Sequence, residues 1–273
     1  MTPPSLRLAF ALALSLAGVF AASGSMAQTA PGAGAAAESR TPPSPDSAPK
    51  VVLELFTSQG CASCPPADEL LSELAKDPEV LALTLAVDYW DYIGWKDTLA
   101  KHGHSVRQRA YAELRGDRMI YTPQIVVDGL VAAKGNSKDS IARALKKAHE
   151  LGPVLTVPVS LALNGSELLV DLAAMTGGPG TRAPVTADIW ICPVSRSQSV
   201  AIGRGENAGK TVTYTNVVRG WIRVGPWTGD AQNYRVDLSR IAQEGVDQVV
   251  VLVQTGSPGT PGAIIGASRI SLN

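Results

Sequence analysis

The feature that most constrains the fold is the segment CASCPP at residues 61–66. It follows an apolar run, 51–56, and precedes a stretch with helical spacing of apolar residues, 67–76. Cysteines at i and i+3 across a strand-to-helix turn can bring their Cα atoms within the roughly 4.4–6.8 Å that a disulfide requires. A thiolate at that place also lies in the positive field of the helix N-terminus. The pattern therefore predicts a pair that alternates between dithiol and disulfide.

Two other interpretations of the cysteine pair compete with this one. A structural zinc site normally needs a second Cys or His pair at matching spacing, and Cys192 has no such partner near it. Zinc is therefore disfavoured, and no metal ligand is assigned. An inert structural disulfide stays open, because exported proteins routinely oxidise neighbouring cysteines.

The N-terminal residues have the pattern of an export signal. Arg7 precedes an apolar run, 8–22, and Ser-Met-Ala at 25–27 is a small-residue cleavage site, so 1–27 is predicted to be a signal peptide. The run is shorter than the roughly 20 residues of a membrane span, and no later stretch approaches that length. A periplasmic or secreted protein without a membrane span in the mature chain is expected. Residues 28–49, rich in Ala, Pro, Gly and Ser, are predicted to form a disordered linker.

The pattern of the remaining chain changes at residue 153. Strand and helix patterns alternate over 50–152, whereas 153–273 contains short runs with period-two alternation and the turn signal Asn164-Gly165. This predicts an α/β domain followed by an antiparallel β-sandwich-like domain. The chain has 24 basic and 24 acidic residues, so its charge does not favour nucleic-acid binding.

Two features of the α/β region add candidate site residues. Glu54 interrupts the apolar run 51–56, and a desolvated carboxylate there is a candidate proton acceptor for a thiol, although a strand-edge position facing solvent is an equal alternative. After the predicted strand 80–87 come four aromatic residues in seven positions, at the strand end where α/β sheets place ligand crevices. Trp90 and Trp95 are therefore candidate substrate contacts. The alternative is a small aromatic core beneath a loop.

A second signature is YTPQIVVDG at residues 121–129. Pro123 stands directly before an apolar strand, which suits a cis-proline that exposes the backbone of Thr122. Asp128-Gly129 is a hairpin signal, and Asn136-Ser137 is predicted to cap a helix over 138–149.

With these motifs in order, residues 50–150 resemble the thioredoxin-like superfamily. The resemblance implies that Pro123 is cis and packs against the disulfide, and that the backbone of Thr122 pairs with an extended substrate. ELFTSQGCASCPPAD and VDYWDYIGWKD are also similar to one family of secreted bacterial proteins of unknown function, and GRGENAGKTVTYTNVVR extends that similarity into the second region. Gly60 stands where thioredoxins have Trp, which predicts a more open approach. Pro65 makes Cys64 the expected N-cap, in a non-helical conformation.

Two weaker motifs are interpreted as structural. His102 and His104 do not share a helix face at i and i+2, so an exposed pair is expected rather than a metal site. The segment 205–211 fails the phosphate-loop pattern because Arg204 replaces the required Gly and a strand pattern follows, so it is predicted to be a hairpin loop.

The leading hypothesis is an exported thiol-disulfide oxidoreductase without a cofactor. Cys61, on an exposed lip of the loop, would attack a protein or small-molecule disulfide and Cys64 would resolve it. The alternatives are a copper or soft-metal protein that uses both thiolates, and a non-catalytic binding module with a structural disulfide. Cys192 is expected to be unpaired and buried. The redox partner, the direction of reaction, the role of the β region and the oligomeric state do not follow from the sequence.

Overall fold

The computed structural model describes residues 48–152, 154–175 and 186–272. The predicted signal peptide, 1–27, and all but the last two residues of the predicted linker, 28–49, lie outside these residues.

Near-continuous apolar runs form the buried strands of the first region. β1 (Val51–Thr57) and β2 (Val80–Ala86) pair in parallel, and β3 (Gln124–Val127) lies antiparallel to β1 and is followed by β4 (Val131–Lys134). Apolar side chains on both faces are typical of a sheet covered on both sides. The Asp128-Gly129 hairpin joins β3 to β4 as predicted, and both of its residues have positive φ.

Three helices belong to this region: α1 (Pro65–Leu74), α2 (His102–Arg115) and α3 (Lys138–Glu150). The predicted cap of α3 is confirmed, because the Ser137 hydroxyl accepts the backbone N–H of Ser140 at 3.2 Å. Cys64 is the N-cap of α1 with Pro65 at its first position, also as predicted. Cys64 itself has helical angles, φ −80° and ψ −40°, so the expected non-helical conformation is wrong.

The second region contributes strands to two sheets. β5 (Val159–Asn164), β6 (Glu167–Leu172) and β10 (Gln232–Asp237) form a three-stranded antiparallel sheet. The others are β7 (Ala187–Ala201), β8 (Thr211–Val218), β9 (Ile222–Trp227), β11 (Gln248–Ser257) and β12 (Thr260–Ser271). These five strands and the four strands of the first region form one nine-stranded sheet. Eight strands follow the order β12-β11-β7-β8-β2-β1-β3-β4, and the ninth, β9, pairs with β7. Residues 211–227 thus form two strands, β8 and β9.

The joint between the regions is the β2–β8 pair, which the sequence analysis did not predict. Thr84 is the register partner of Val217 in a short parallel pairing. The Thr84 hydroxyl donates to the Thr215 carbonyl at 2.6 Å, and the Asn216 amide donates to the Ala82 carbonyl at 2.9 Å. Side-chain donors thus supply hydrogen bonds to backbone carbonyls where the β2–β8 pairing is short, because buried carbonyls need partners.

The three-stranded sheet packs on the large sheet, and its apolar residues share one core with β7 and β11. Leu168 and Val170 belong to the same buried cluster as Ile191 and Val251. The expected two-layer β packing is therefore present, but one of its layers continues into the α/β region. Within the described ranges, no helix is long and apolar enough to cross a membrane.

Candidate functional site

The register of the large sheet brings the two predicted signatures to one edge. Gln124, at the start of β3, pairs with Phe56 near the end of β1. Because β3 runs antiparallel to β1, Pro123 lies at the strand end from which the CxxC loop continues. The Thr122–Pro123 peptide bond is cis, as predicted.

Cys61 and Cys64 form a disulfide at this edge, with Cα atoms 5.4 Å apart. The side-chain hydroxyl of Ser63 lies 3.5 Å from the Cys61 sulfur and donates to it, since a disulfide sulfur carries no proton. Cys61 is only 1% exposed and Cys64 0%. The expectation that Cys61 stands on an exposed lip is therefore wrong, because other segments of the chain cover the loop.

Asp68 lies one helical turn after Cys64 and is the most unusual group of the site. Its backbone N–H donates to the Cys64 carbonyl at 3.1 Å, and its carboxyl is buried with no hydrogen-bond partner for either oxygen among the described residues. Burial raises the pKa of Asp68 well above its usual range, and the nearby Asp97 carboxylate adds to the rise. The Thr57 hydroxyl opposes the rise, although it lies outside hydrogen-bond geometry.

Gln59 and Asp97 hold the CxxC loop to the segment after β2. The Gln59 backbone N–H donates to the Asp97 carboxylate at 2.7 Å, and the Gln59 side-chain carbonyl accepts the indole N–H of Trp95 at 2.8 Å. Asp97 also accepts the backbone N–H groups of Leu99 and Ala100. Burial raises the pKa of the Asp97 carboxyl. These bonds fix the cysteine loop to the segment after β2.

Trp90 connects the cysteine loop to the proline signature. Its indole N–H donates to the Thr122 hydroxyl at 2.7 Å. A Cβ built on Gly60 would lie 3.1 Å from the Cβ of Trp90 and 3.0 Å from Ile93 Cδ1. Glycine at position 60 thus permits close packing of Trp90, and the expected open approach at Gly60 is wrong.

The β7–β8 loop, residues 202–210, is the third segment at the site. It is a hairpin loop as predicted, closed by the bond from the Ile202 N–H to the Lys210 carbonyl. Asn207 is fully buried, and its Nδ2 donates to the carbonyls of Gln59 and Cys61, each at 2.9 Å. A residue about 145 positions from the cysteines is therefore part of their surroundings.

Glu54 lies in a different cluster, between β1 and α2. Arg107 donates to one carboxylate oxygen at 2.7 Å, and the Tyr111 hydroxyl donates to the other at 2.6 Å. Glu54 is 0% exposed, so the alternative of a solvent-facing position is wrong. Both oxygens contact these partners rather than a cysteine, so no hydrogen bond supports the predicted role of Glu54 as proton acceptor.

The two histidines at the start of α2 differ in environment. His102 is exposed and contacts Asp88, whereas His104 is fully buried and its Nδ1 donates to the Ala86 carbonyl at 2.9 Å. Burial lowers the pKa of His104 to about 4. The expectation of an exposed pair is thus wrong for His104. Within 48–152, 154–175 and 186–272, no three His, Cys, Asp or Glu side chains are grouped closely enough to hold a metal ion.

Cys192 is unpaired and buried on β7, as predicted. Burial raises the pKa of its thiol well above the usual range. A cavity of about 220 Å³ lies beside α2 and the β11–β12 hairpin, with Trp190, Trp221 and Pro258 in its wall. None of the three cysteines lines this cavity.

The structure brings together most of the predicted site residues. Cys61, Cys64, Thr122, Pro123, Trp90 and Trp95 lie at one sheet edge, and Glu54 does not join them. Sequence analysis missed Asp68 and Asn207. The spacing of Cys64, Asp68 and Leu71, at i, i+4 and i+7 on the buried helix face, could have indicated Asp68. No local pattern could have indicated Asn207.

Comparisons with known structures find relatives over most of the chain. Protein AGR_C_4864 of Agrobacterium tumefaciens, a crystal structure, is 36% identical with a TM-score of 0.72, and the match covers 83% of this chain and 96% of that one. HBP35 of Porphyromonas gingivalis is 15% identical with a TM-score of 0.53, covering 82% and 76%, a level that shows similarity of fold alone. Among curated proteins nothing matches.

A family model described as "Protein of unknown function (DUF1223)" matches residues 52–254. This range includes the cysteine loop, the cis-proline and the 202–210 hairpin, and it confirms the similarity to an uncharacterised family. The chain therefore belongs to the DUF1223 family of proteins of unknown function.

Proposed function

We propose that this protein is an exported thiol-disulfide oxidoreductase that acts through Cys61 and Cys64. The observation that carries the proposal is a disulfide at the N-terminus of α1 with the buried carboxyl of Asp68 one turn below it, which has no hydrogen-bond partner in the described part of the chain. Perturbed, buried acids beside reactive groups are typical of sites that transfer protons. The order β1-α1-β2-α2-β3-β4-α3, with the cis-proline before β3, favours the thioredoxin-like interpretation of residues 50–152.

The reaction we propose is ordinary thiol-disulfide exchange. A substrate thiolate attacks the Cys61 sulfur, a substrate–Cys61 bond forms as the Cys61–Cys64 bond breaks, and Cys64 leaves as a thiolate. The second substrate thiol then attacks the mixed disulfide and releases Cys61. Two electrons pass from the substrate dithiol to the cysteine pair, and the two thiol protons end on Cys61 and Cys64. Reduction of a substrate disulfide is the reverse sequence.

Asp68 would supply and recover the proton of Cys64. A carboxyl whose pKa is raised by burial can donate to the departing thiolate and accept the proton again in reverse. The helix N-terminus stabilises the same thiolate before it is protonated. Asp68 replaces Glu54 in this role, because Glu54 is bound to Arg107 and Tyr111.

Trp90, Thr122 and Pro123 would align the substrate. The Trp90–Thr122 hydrogen bond fixes the side chain of Thr122 and leaves its backbone for an extended substrate segment. Trp95 is bound to Gln59 and supports the loop.

The reduction potential of the pair, measured in glutathione or dithiothreitol buffers, tests this function together with insulin reduction. We expect turnover that is lost in Cys61→Ser, and mixed disulfides with substrate that accumulate in Cys64→Ser but not in Cys61→Ser. A potential below about −300 mV with no turnover would identify a structural disulfide instead. Stoichiometric Cu(I) bound by the reduced protein, again without turnover, would support the metal-binding alternative.

A further inference from the structure

The second region of the chain is bound to the cysteine loop, because Asn207 donates to the carbonyls of Gln59 and Cys61. Cys61 is only 1% exposed, although its neighbours Ala62 and Ser63 are exposed at the loop tip. We propose that the hairpin 202–210 is a cover over the disulfide, held shut by Asn207, and that it selects substrates able to displace it. This proposal rests on the proposed function for its biological meaning, but its physical content concerns access to the sulfurs.

The side chain of Asn207 joins the hairpin to the cysteine loop by hydrogen bonds. Its Nδ2 uses both hydrogens on carbonyls of the cysteine loop, those of Gln59 and Cys61, and its Oδ1 accepts the ammonium group of Lys210 at 2.9 Å. Both amide hydrogens and one of the two lone pairs of Oδ1 are used, although Asn207 belongs to a loop whose other residues after Ile202 are exposed. A buried amide with these bonds at the centre of an exposed hairpin binds that hairpin to the cysteine loop.

Packing holds the rest of the hairpin on the end of β2 and the segment after it, which is hydrogen-bonded to the cysteine loop through Gln59. Ile202 is buried in a cluster with Ala86 and Leu99, which anchors the base of the hairpin. A Cβ built on Gly203 would lie 3.1 Å from Cζ3 of Trp95, so the backbone rests directly on the indole ring. Beyond Ile202, Asn207 is the one remaining buried residue of the 202–210 segment, so opening the tip exposes little apolar surface.

Exchange chemistry requires the cover to move. An attacking sulfur must approach along the axis of the disulfide that it breaks, and a sulfur closed to solvent offers no such path. When the hairpin leaves, the Gln59 and Cys61 carbonyls lose the Asn207 donor, the Cys61 carbonyl keeps its bond from the Cys64 N–H, and both can accept backbone N–H groups of an incoming chain. Flexible peptide segments and small thiols can enter such a site, whereas a disulfide held rigidly on a folded surface cannot.

The test is the rate at which dithiothreitol reduces the pair in the purified chain. Each dithiothreitol transfers two electrons by forming a mixed disulfide with one cysteine and then closing to its own cyclic disulfide. Trapping with iodoacetamide and mass measurement counts the reduced cysteines. For the unaltered chain we expect the rate to level off at high dithiothreitol, because opening becomes limiting. Asn207→Ala should raise that plateau about tenfold or more, since it removes the two hydrogen bonds that join the hairpin to the cysteine loop.

Two comparisons separate opening of the hairpin from loss of the fold. Asn164→Ala changes an exposed asparagine at the hairpin turn between β5 and β6, and it should leave the rate unchanged. Cys192 reports unfolding, because it is fully buried and gains a label only when the core opens. If Cys192 is labelled in Asn207→Ala as fast as the cysteine pair is reduced, that variant has unfolded and Lys210→Met takes its place. We expect Lys210→Met to raise the reduction rate less, because Asn207 keeps its two bonds to the loop, and to leave Cys192 unlabelled.

A rate proportional to dithiothreitol over the whole range, unchanged in Asn207→Ala and in Lys210→Met, would overturn the cover. Reduction needs no enzymatic activity, so the outcome is independent of the proposed function. Accelerated reduction without insulin turnover would refute the oxidoreductase and leave the cover intact. Insulin turnover together with a reduction rate that stays proportional to dithiothreitol would support the oxidoreductase and refute the cover.

Discussion

The backbone N–H of Asp68 donates to the carbonyl of Cys64 at 3.1 Å, in the first turn of α1. The bond places a buried carboxyl one turn below the disulfide. A carboxyl without partners in such a position costs folding free energy, and sites retain such groups where chemistry uses them. Three predictions on stability and two on reactivity follow from this and from the other buried titratable groups.

Replacing Asp68 by asparagine should stabilise the protein at alkaline pH and slow exchange. The raised pKa means that the folded state holds a proton that the unfolded state has released, so stability falls as pH rises from about 4 through the folded pKa. Asp68→Asn removes that loss. We expect a higher urea midpoint than the unaltered chain at pH 8 and a matching midpoint at pH 4.

The same variant should lower the rate of disulfide exchange about 10²-fold and change its pH profile, as expected for loss of a general acid. Asp77→Asn, in the turn after α1, is the control and should change neither quantity. An unchanged pH profile in Asp68→Asn would show that Asp68 is only a buried acid of the fold.

Glu54→Gln should destabilise the protein by about 3–5 kcal/mol, because it leaves the guanidinium of Arg107 buried without its counter-charge. Arg107 stacks 4.1 Å from the centre of the Trp221 ring, so it cannot turn to solvent without losing that contact. Urea denaturation measures the effect, with Glu113→Gln on the exposed face of α2 as control. A loss below about 1 kcal/mol would mean that the pair is not desolvated.

His104 should make the protein sensitive to acid. Its pKa is lowered from 6.5 to about 4 in the folded state, so the unfolded state binds more protons between these values and stability declines as pH falls through them. The full shift corresponds to about 3 kcal/mol. His104→Asn, which keeps a donor for the Ala86 carbonyl, should flatten stability between pH 6.5 and pH 4, whereas His149→Asn, exposed at the end of α3, should not. NMR titration of His104 near pH 6.5 would contradict the assignment.

Cys192 should be alkylated at least 10²-fold more slowly in the folded chain than in urea. It is enclosed by the core, and burial raises the pKa of its thiol and so reduces the thiolate that reacts. Labelling with iodoacetamide at pH 8, followed by mass measurement, gives both rates. Equal rates would show that β7 opens readily at this position.

Local patterns in the sequence determined the parts of the protein that depend on short-range physics. The spacing of Cys61 and Cys64 sets a distance that a disulfide can close, the Asp128-Gly129 pair sets a hairpin, and Ser137 caps α3 through its own hydroxyl. Each of these depends on neighbours a few residues away, and each was predictable. The family could also be inferred, because its motifs lie in continuous stretches.

Only the tertiary structure decided what surrounds the site. The pairing of Thr84 with Val217 joins two regions that the sequence separates, and it brings Asn207 onto the carbonyl of Cys61. The burial of Glu54 with Arg107 likewise depends on how α2 crosses β1. Contacts between residues 50 to 150 positions apart depend on sheet order and packing. The same local sequence patterns are compatible with many sheet orders, so they do not determine these contacts. The cysteine pair was therefore visible in the sequence, whereas its cover was not.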